Sequence, residues 1–285
     1  VAEGEIFDAV LSGKIKFTAR KASPVAVGDY VKFSLKSGGM ASVEQILARK
    51  SFISRPSVEK DSQLQIIVSN VDRIVIVGSV AQPKFNPGII ERFLVIAFKE
   101  NIQPAVVINK IDIENLDSLK PFIDAWRKIP CQILLTSAKT GEGIDGLIST
   151  MQHGTSVIVG HSGVGKSSLL NRISPVLDLK TKEISTHSNR GAHATSRVSL
   201  YRIFKDGWVA DTPGLKVLGF SDVNKNNLQD YFPEFLQYRN DCRFIDCRHI
   251  KEPVCGIKKA VESKDELISQ FRYESYKKIY QSLKD

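Results

Sequence analysis

Four short segments of this 285-residue chain combine residue types and spacing that suit a bound nucleotide. The stretch Gly160-His161-Ser162-Gly163-Val164-Gly165-Lys166-Ser167 reads G-x-x-x-x-G-K-S. The apolar run Ser156-Val157-Ile158-Val159 precedes it and Ser168-Leu169-Leu170-Asn171 follows. That context predicts a strand, a loop and a helix. The glycines let the loop's backbone N–H groups curl around phosphates, and the helix N-terminus adds its positive end. Lys166 is placed to reach the β- and γ-phosphates, and the Ser167 hydroxyl to meet Mg²⁺. Nucleotide contacts are expected from Gly160, Ser162, Gly163, Val164, Gly165, Lys166, Ser167 and Ser168.

Two other segments suit a guanine base. Asn109-Lys110-Ile111-Asp112 closes a buried-strand pattern at 104–108, and Ser137-Ala138-Lys139 follows a second one at 132–135. The Asp112 carboxylate can accept from guanine N1–H and the 2-amino group, donors that adenine does not offer. A site built on such bonds can reject the analogue lacking them by ~10⁴-fold. The Ala138 N–H is the expected donor to guanine O6. The fourth segment, Asp211-Thr212-Pro213-Gly214, follows Trp208-Val209-Ala210. Asp211 is expected to hold Mg²⁺ through water, and the Gly214 N–H to meet the γ-phosphate. Leu215 comes next, where Ras-like enzymes carry a water-orienting glutamine.

The order of these segments is unusual. A GTP-binding domain ordinarily runs from phosphate loop through switches to base-reading motifs; here the base-reading half comes first. The old ends are in effect joined and a new break opened elsewhere. The loop after Asp211, which responds to the γ-phosphate, therefore leads straight into the C-terminal part of the chain and could reorient it.

That C-terminal part carries a second constellation. Cys242, Cys247, His249 and Cys255 form C-x₄-C-x-H-x₅-C and use three of the four cysteines. Thiolates and an imidazole suit tetrahedral Zn²⁺, and four protein ligands leave no open position for chemistry, so the site reads as structural. Cys131 has no partner in sequence and reads as a core residue.

With these motifs in place, the chain resembles, over nearly all its length, the circularly permuted ribosome-assembly GTPases of the RsgA (YjeQ) family. Glu252-Pro253-Val254-Cys255 behind the cysteine pattern, Asn70-Val71-Asp72 and Arg272-Tyr273-Glu274-Ser275-Tyr276 narrow the resemblance. It implies a multi-domain chain: an N-terminal β-barrel (OB-fold) for RNA over 1–64, a central α/β circularly permuted P-loop GTPase over 65–218, and a mainly helical zinc-binding domain over 219–285. It also implies GTP and GDP, Mg²⁺ and one structural Zn²⁺ as ligands. The implied role is late maturation of the small (30S) ribosomal subunit, with the subunit and its rRNA as partners. Hydrolysis would be slow alone and stimulated by the subunit. The alternatives are a GTP-gated RNA-binding protein and a permuted GTPase acting on another ribosomal particle.

One segment departs from the family pattern. G-R-H-T-T-T is usual after the phosphate loop, and Gly191-Ala192-His193-Ala194-Thr195-Ser196 stands here. Thr195 is the expected contact to Mg²⁺ and the γ-phosphate, with Ser196 as the alternative. Since Leu215 cannot orient water, His193 is the candidate catalytic group; the other reading is a contact to backbone or RNA.

The remaining sequence supplies the elements that must position these groups. Strand-like runs at 15–19, 30–34 and 41–46, with turns at Gly28-Asp29 and Gly38-Gly39, predict a small barrel or sandwich. Alternation alone does not separate it from an SH3-like barrel. Lys14, Lys16, Arg20, Lys21, Lys32 and Lys36 decorate it, suited to phosphates. Residues 51–64 read as a linker, after which buried strands alternate with helical segments such as 89–98, an α/β signature. Residues 180–196 read as the first switch. Apolar residues at near-helical spacing over 265–283 predict a packed helix.

The net charge of +9 favours a polyanion, nucleic acid first, with a merely basic surface as the other reading. No run of ~18 apolar residues predicts a membrane span. The start, Val1-Ala2-Glu3-Gly4-Glu5, shows no secretory pattern, and the absent initiator Met suggests trimming, a removed leader or further residues. Thiols beside a zinc pattern suit a reducing compartment: the cytoplasm, or an organelle stroma or matrix. A monomer without a membrane partner is expected.

Overall fold

The computed structural model describes residues 5–13, 25–36, 38–56, 64–174, 198–211, 220, 222–264 and 266–283. Near the N-terminus, β1 (Ala9–Leu11), β3 (Ala41–Ile46) and β2 (Val31–Leu35) form a three-stranded sheet in that order. β3 pairs with β1 in parallel and with β2 antiparallel, a bulge falling between Lys32 and Phe33. The expected strand at 15–19 lies outside the described residues, as do Lys14, Lys16, Arg20 and Lys21.

The linker expected at 51–64 is corrected in part. Phe52–Pro56 is strand β4, paired antiparallel with β5 (Leu64–Ser69), so a boundary between 64 and 65 falls inside a strand. Ile53 explains the difference: it is buried in the main core despite its polar neighbourhood. The N-terminal part is tied to this hairpin through Asp29. Arg49 donates twice to its carboxylate, at 2.6 and 2.7 Å, and Ser69 Oγ and the Ala26 N–H donate at 2.7 and 2.8 Å. Burial alone would raise the Asp29 carboxyl, but these donors outweigh it and hold it below the usual range. Gly28 adopts φ +88°, and a Cβ there would stand 2.3 Å from Ser69 O.

The Asn70-Val71-Asp72 segment then hands the chain to the central sheet. Asn70 Nδ2 donates to Gly28 O at 2.9 Å, and its Oδ1 accepts from the Lys50 N–H at 3.0 Å. The Asp72 carboxylate accepts from the Thr155 N–H at 2.7 Å, fixing the start of a neighbouring strand.

The central sheet comprises β6 (Arg73–Ser79), β7 (Gln103–Asn109), β8 (Gln132–Thr136), β9 (His153–Val159), β10 (Ser199–Arg202) and β11 (Asp206–Asp211). Its order is β10-β11-β9-β6-β7-β8, with every neighbouring pair parallel except β10 and β11. Strands buried on both faces need continuous apolar runs, which Ile74-Val75-Ile76-Val77 and Ala105-Val106-Val107-Ile108 supply. Their period of two divides the core. Ile74, Ile76, Val106 and Ile108 face α1 (Pro87–Lys99) and α2 (Lys120–Arg127). Val75, Val77 and Val107 face α3 (Ile144–Met151) and α4 (Lys166–Ile173).

The C-terminal lobe has two 3₁₀ segments, Leu228–Tyr231 and Pro233–Asp241, then α5 (Gly256–Glu262) and α6 (Gln270–Ser282). The helix expected over 265–283 starts later than predicted. Ser269 is its N-cap, its side chain accepting from the Arg272 N–H, so Leu267 stays outside and exposed. α6 packs on α1 and α2, and Phe271 meets Phe122 edge-on with ring centroids 4.7 Å apart.

Beneath that contact lies a fully buried ion network. Arg272 on α6 donates to Glu91 of α1 at 2.5 Å and to both oxygens of Glu234 at 2.6 and 3.1 Å. Trp126 Nε1 of α2 donates to Glu91 at 2.6 Å. Burial pushes the Glu91 carboxyl above its usual range, against the pull of Arg272 and Trp126. Two carboxylates thus share one guanidinium out of water, and removing that cation strands both. Arg272→Met should therefore cost about 3–5 kcal/mol of stability, against at most ~1 kcal/mol for the exposed Arg127→Met. Chemical denaturation of the two variants, read by tryptophan fluorescence, checks the contrast.

Candidate nucleotide site and metal centre

Three nucleotide segments, scattered over 109–168 in sequence, and the end of the strand that leads into the fourth meet at one edge of the sheet. β9 runs into the Gly160 loop, β7 ends at Asn109, β8 leads to Ser137, and β11 ends at Asp211. All four strands are mutually parallel, so these ends share one side, the carboxyl edge where open α/β sheets bind ligands. Strand order puts the phosphate loop between Asp211 on one flank and the base-reading segments on the other.

The loop's shape depends on glycine at two close approaches. Gly160 and Gly165 adopt φ +139° and +98°, and a Cβ would stand 2.2 Å from Val77 O in the first case and 2.3 Å from Asn109 Nδ2 in the second. Lys166 Nζ donates to the Gly160 and His161 carbonyls at 2.9 Å each, which folds the ammonium over the loop. α4 begins at Lys166, so its first N–H groups point into the same space. Ser167 is half-buried at the helix start, and Ser168 is exposed.

Asn109 joins three of the four segments. It is buried; its Nδ2 donates to Val164 O at 2.9 Å, while its Oδ1 accepts from the Ala138 N–H at 3.1 Å and from Thr136 Oγ1 at 3.3 Å. The Ala138 N–H, expected at guanine O6, is therefore engaged here, and a base must share or displace that bond. Ser137 Oγ donates to Asp112 Oδ1 at 2.6 Å and holds the Asp112 carboxyl below the usual range, so it stays ionised and acceptor-only. Lys110, at φ +65°, donates from Nζ to Gln82 O.

That last contact shows what the motifs do not reveal. The loop between β6 and α1 folds back beside the phosphate loop, with Ser79 Oγ donating to Pro83 O at 2.9 Å. A cavity of about 80 Å³ opens there, lined by Ser79, Pro83, Asn86, Ile89, His161 and Val164. The only sequence signal was Asn86-Pro87, an N-cap followed by a first-turn proline. His193, Thr195, Ser196, Gly214 and Leu215 lie outside the described residues, as does the Asp211 side chain.

The cysteine constellation assembles as the spacing predicts. The ligand atoms of Cys242, Cys247, His249 and Cys255 all lie within 4.8 Å of one another. His249 Nδ1 stands 3.6, 3.4 and 3.3 Å from the three sulfurs, and Cys242 Sγ lies 3.9 Å from Cys255 Sγ. A zinc tetrahedron with Zn–S of ~2.3 Å and Zn–N of ~2.0–2.1 Å has S···S edges of about 3.8 Å and S···N edges of about 3.5 Å. The donor set fits that ion.

The surroundings orient the donors. His249 Nε2 pairs with Gln229 Oε1 at 2.7 Å, which turns the Nδ1 lone pair towards the sulfurs. The Gly256 and Lys258 N–H groups donate to Cys242 and Cys255 sulfurs at 3.3 and 3.5 Å. The Glu252 carboxylate accepts from three turn amides, those of Arg248, Ile250 and Lys251. Burial pushes the Cys247 thiol up to about 12 and the His249 imidazole down to about 4. The imidazole is thus neutral and ready to bind, whereas the buried thiols lose their protons only to a dication.

Two outcomes follow from these geometries. Asp112→Asn should weaken GTP binding and improve xanthosine triphosphate binding, because an amide can donate to the xanthine 2-oxygen that a carboxylate repels; equilibrium titration with both nucleotides measures the exchange. Cys247→Ser should lower a zinc content of about one ion per chain and loosen the C-terminal lobe while nucleotide affinity is largely kept. Elemental analysis alongside nucleotide titration reads both.

Comparison with known proteins agrees with this site. A family model described as RsgA GTPase matches residues 46–221. A relative from Christiangramia forsetii, named small ribosomal subunit biogenesis GTPase RsgA, is 36% identical over 99% of this chain and 91% of its own length. One of the same name from a Geobacillus strain is 37% identical over 100% and 93%. The crystal structure of YjeQ from Thermotoga maritima superposes with a TM-score of 0.77 at 34% identity, covering 96% of this chain and 89% of that one. YloQ, titled a circularly permuted GTPase, gives 0.73 at 33% identity over 95% and 85%. In this chain the base-reading strands come first in sequence yet lie beside the phosphate loop on one sheet edge, and by the family match and these relatives the chain belongs to the RsgA GTPase family.

Proposed function

We propose that this chain hydrolyses GTP as a biogenesis factor of the small ribosomal subunit, gripping the subunit in the GTP state and leaving after hydrolysis. The observation that carries the reading is the match, over essentially the whole chain, to relatives bearing that name. The match spans both the nucleotide edge and the Cys₃His lobe. In this reading Asp112 and Ala138 select guanine, while Asn109 and Lys110 brace the base-reading loops. Gly160 to Ser168 hold the phosphates, and Ser167, Thr195 and Asp211 hold Mg²⁺. Gly214 meets the γ-phosphate, and zinc holds the lobe at Cys242, Cys247, His249 and Cys255. The N-terminal strands belong to an OB-fold that meets rRNA with its basic residues, Lys32 and Lys36 among them.

The nucleotide signal has a short route to the lobe. Phe220, just beyond the segment after Asp211, lies under the Arg92 guanidinium of α1 at 4.6 Å, and α1 carries Glu91 of the buried network. A change at the γ-phosphate thus reaches α1 and the lobe together.

Turnover and cosedimentation with purified small subunits test the proposal. Subunits should raise GTP turnover severalfold or more, and binding should be stronger with a non-hydrolysable GTP analogue than with GDP. His193→Ala should remove most of the stimulation and leave GTP affinity and subunit binding near the parent values. Equal binding in both nucleotide states, with no stimulation by subunits, would sink the reading; full stimulation of the variant would pass the catalytic role to the partner.

A further inference from the structure

Between β6 and α1 the chain makes a strut that none of the nucleotide motifs contains. Ser79 ends β6 and is buried, and its hydroxyl donates to Pro83 O at 2.9 Å, drawing the chain back on itself. The Val80 N–H donates to Asn109 O at 3.1 Å, and Gln82 O accepts from the Lys110 ammonium. These bonds close one circuit, from Asn109 to Val80, along the turn to Gln82, and back to Lys110. Gln82 and Lys110 both hold left-handed backbone, at φ +51° and +65°. That conformation is uncommon for residues with a side chain and marks positions fixed by their surroundings. On its other side the turn rests against the phosphate loop: a Cβ on Gly163 would stand 3.5 Å from Pro83 Cδ, in ordinary van der Waals contact.

This circuit decides where the Lys110 side chain lies. A lysine pinned by an arriving ligand gives up much rotamer freedom, which weakens binding. Here the far end of the side chain is tied before any ligand arrives. A Cβ on Gly165 would stand 4.0 Å from Lys110 Cε, so the stem passes the phosphate loop at Gly165 on its way to Gln82. The stem is thereby laid as an apolar ledge between the phosphate loop and the loop that carries Asp112. Ser79 holds the turn whose carbonyl holds the ammonium, so its hydroxyl reaches the nucleotide only through Lys110. A role confined to shaping the entry to α1, where Asn86 caps the helix, would not depend on Lys110. That difference is measurable.

We propose that residues 79–83 form a fifth segment of the nucleotide site, in which Ser79 is a positioning residue for guanine nucleotides that acts through the Gln82 carbonyl on Lys110. The inference rests on the base site proposed above. A strut on the base side serves GTP and GDP alike. Equilibrium titration of the full chain with each nucleotide tests it. Ser79→Ala should weaken GTP and GDP equally, by ~3–10-fold, the worth of about one hydrogen bond. Lys110→Met keeps the stem but has no ammonium to tie. Adding Ser79→Ala to that variant should therefore weaken binding by less than ~2-fold more.

A full further loss in the double variant, a loss confined to GTP, or undiminished binding by Ser79→Ala would overturn the inference. A second measurement needs no substitution. In the nucleotide-free parent, acetic anhydride should acetylate half-buried Lys110 several-fold more slowly than the exposed Lys84 on the same turn. Equal rates would show the Lys110 ammonium untied and sink the strut. Failure of the parent chain to bind either nucleotide would instead remove the base site on which the inference rests.

Discussion

The arrangement of this molecule depends on one buried cation. Among the described residues Arg272 is the one cation paired with Glu91 and Glu234, and all three side chains are almost wholly out of water. A hydrophobic contact between α6 and the helices beneath it could slide; this one cannot. The guanidinium presents its donors in a fixed fork, bidentate to Glu234 and single to Glu91, so the lobe has one seat on α1 and α2. Desolvation makes the network a modest source of net stability but a strict source of register, because every misplacement strands a charge. The Arg272-Tyr273-Glu274-Ser275-Tyr276 segment thereby gains a reason. Arg272 faces the GTPase core, while Tyr273 and Tyr276 donate to the His249 and Arg248 carbonyls and hold the metal knuckle from behind.

This seat limits how the γ-phosphate can act on the lobe. A lobe hanging from the segment after Asp211 could swing freely. A lobe bolted to α1 moves only if α1 moves with it or if the ion network breaks, and breaking it costs several kcal/mol. The first route is cheaper, and α1 is well placed for it. Asn86, Ile89 and Ile90 at its start line the cavity beside His161 and Val164 of the phosphate loop, and the next residue, Glu91, holds Arg272. Permutation supplies the covalent link to the lobe; α1 supplies the mechanical one.

Much of this was legible in sequence, and what was not has a common cause. The described nucleotide segments, the strands preceding them and the Cys₃His set all encode local chemistry at fixed spacing, and the structure puts the strands and the four metal-ligand candidates where those patterns predicted. The misses are contacts between distant residues. Nothing near 51–64 announces that Ile53 enters the main core, so a polar stretch reads as a linker while its first part is a strand. Arg272 reads as one more polar position on an amphipathic helix; only the meeting of α6 with α1 and Pro233–Asp241 makes it the most buried cation among the described residues. The role of Asn109 was half legible. Its motif marks it as part of the base site, yet its bonds to Val164 and Ala138 span 55 and 29 residues.

The groups described at the nucleotide edge also separate base recognition from the chemical step. Asn109 braces loops, Asp112 is set to accept from a base, and Lys166 covers the phosphate loop. The bracing by Asn109 and the base contact of Asp112 are the same whether the nucleotide is GTP in its ground state or GTP approaching hydrolysis. Interactions shared by ground and transition states lower KM but leave the chemical step untouched. Acceleration must come from groups that engage the γ-phosphate or the attacking water: Lys166 and Ser167 on the phosphate side, and the sequence's further candidates in 191–196 and after Asp211, where Leu215 has no polar side-chain atom to offer. Guanine recognition and the chemical step therefore call on different residues of this chain.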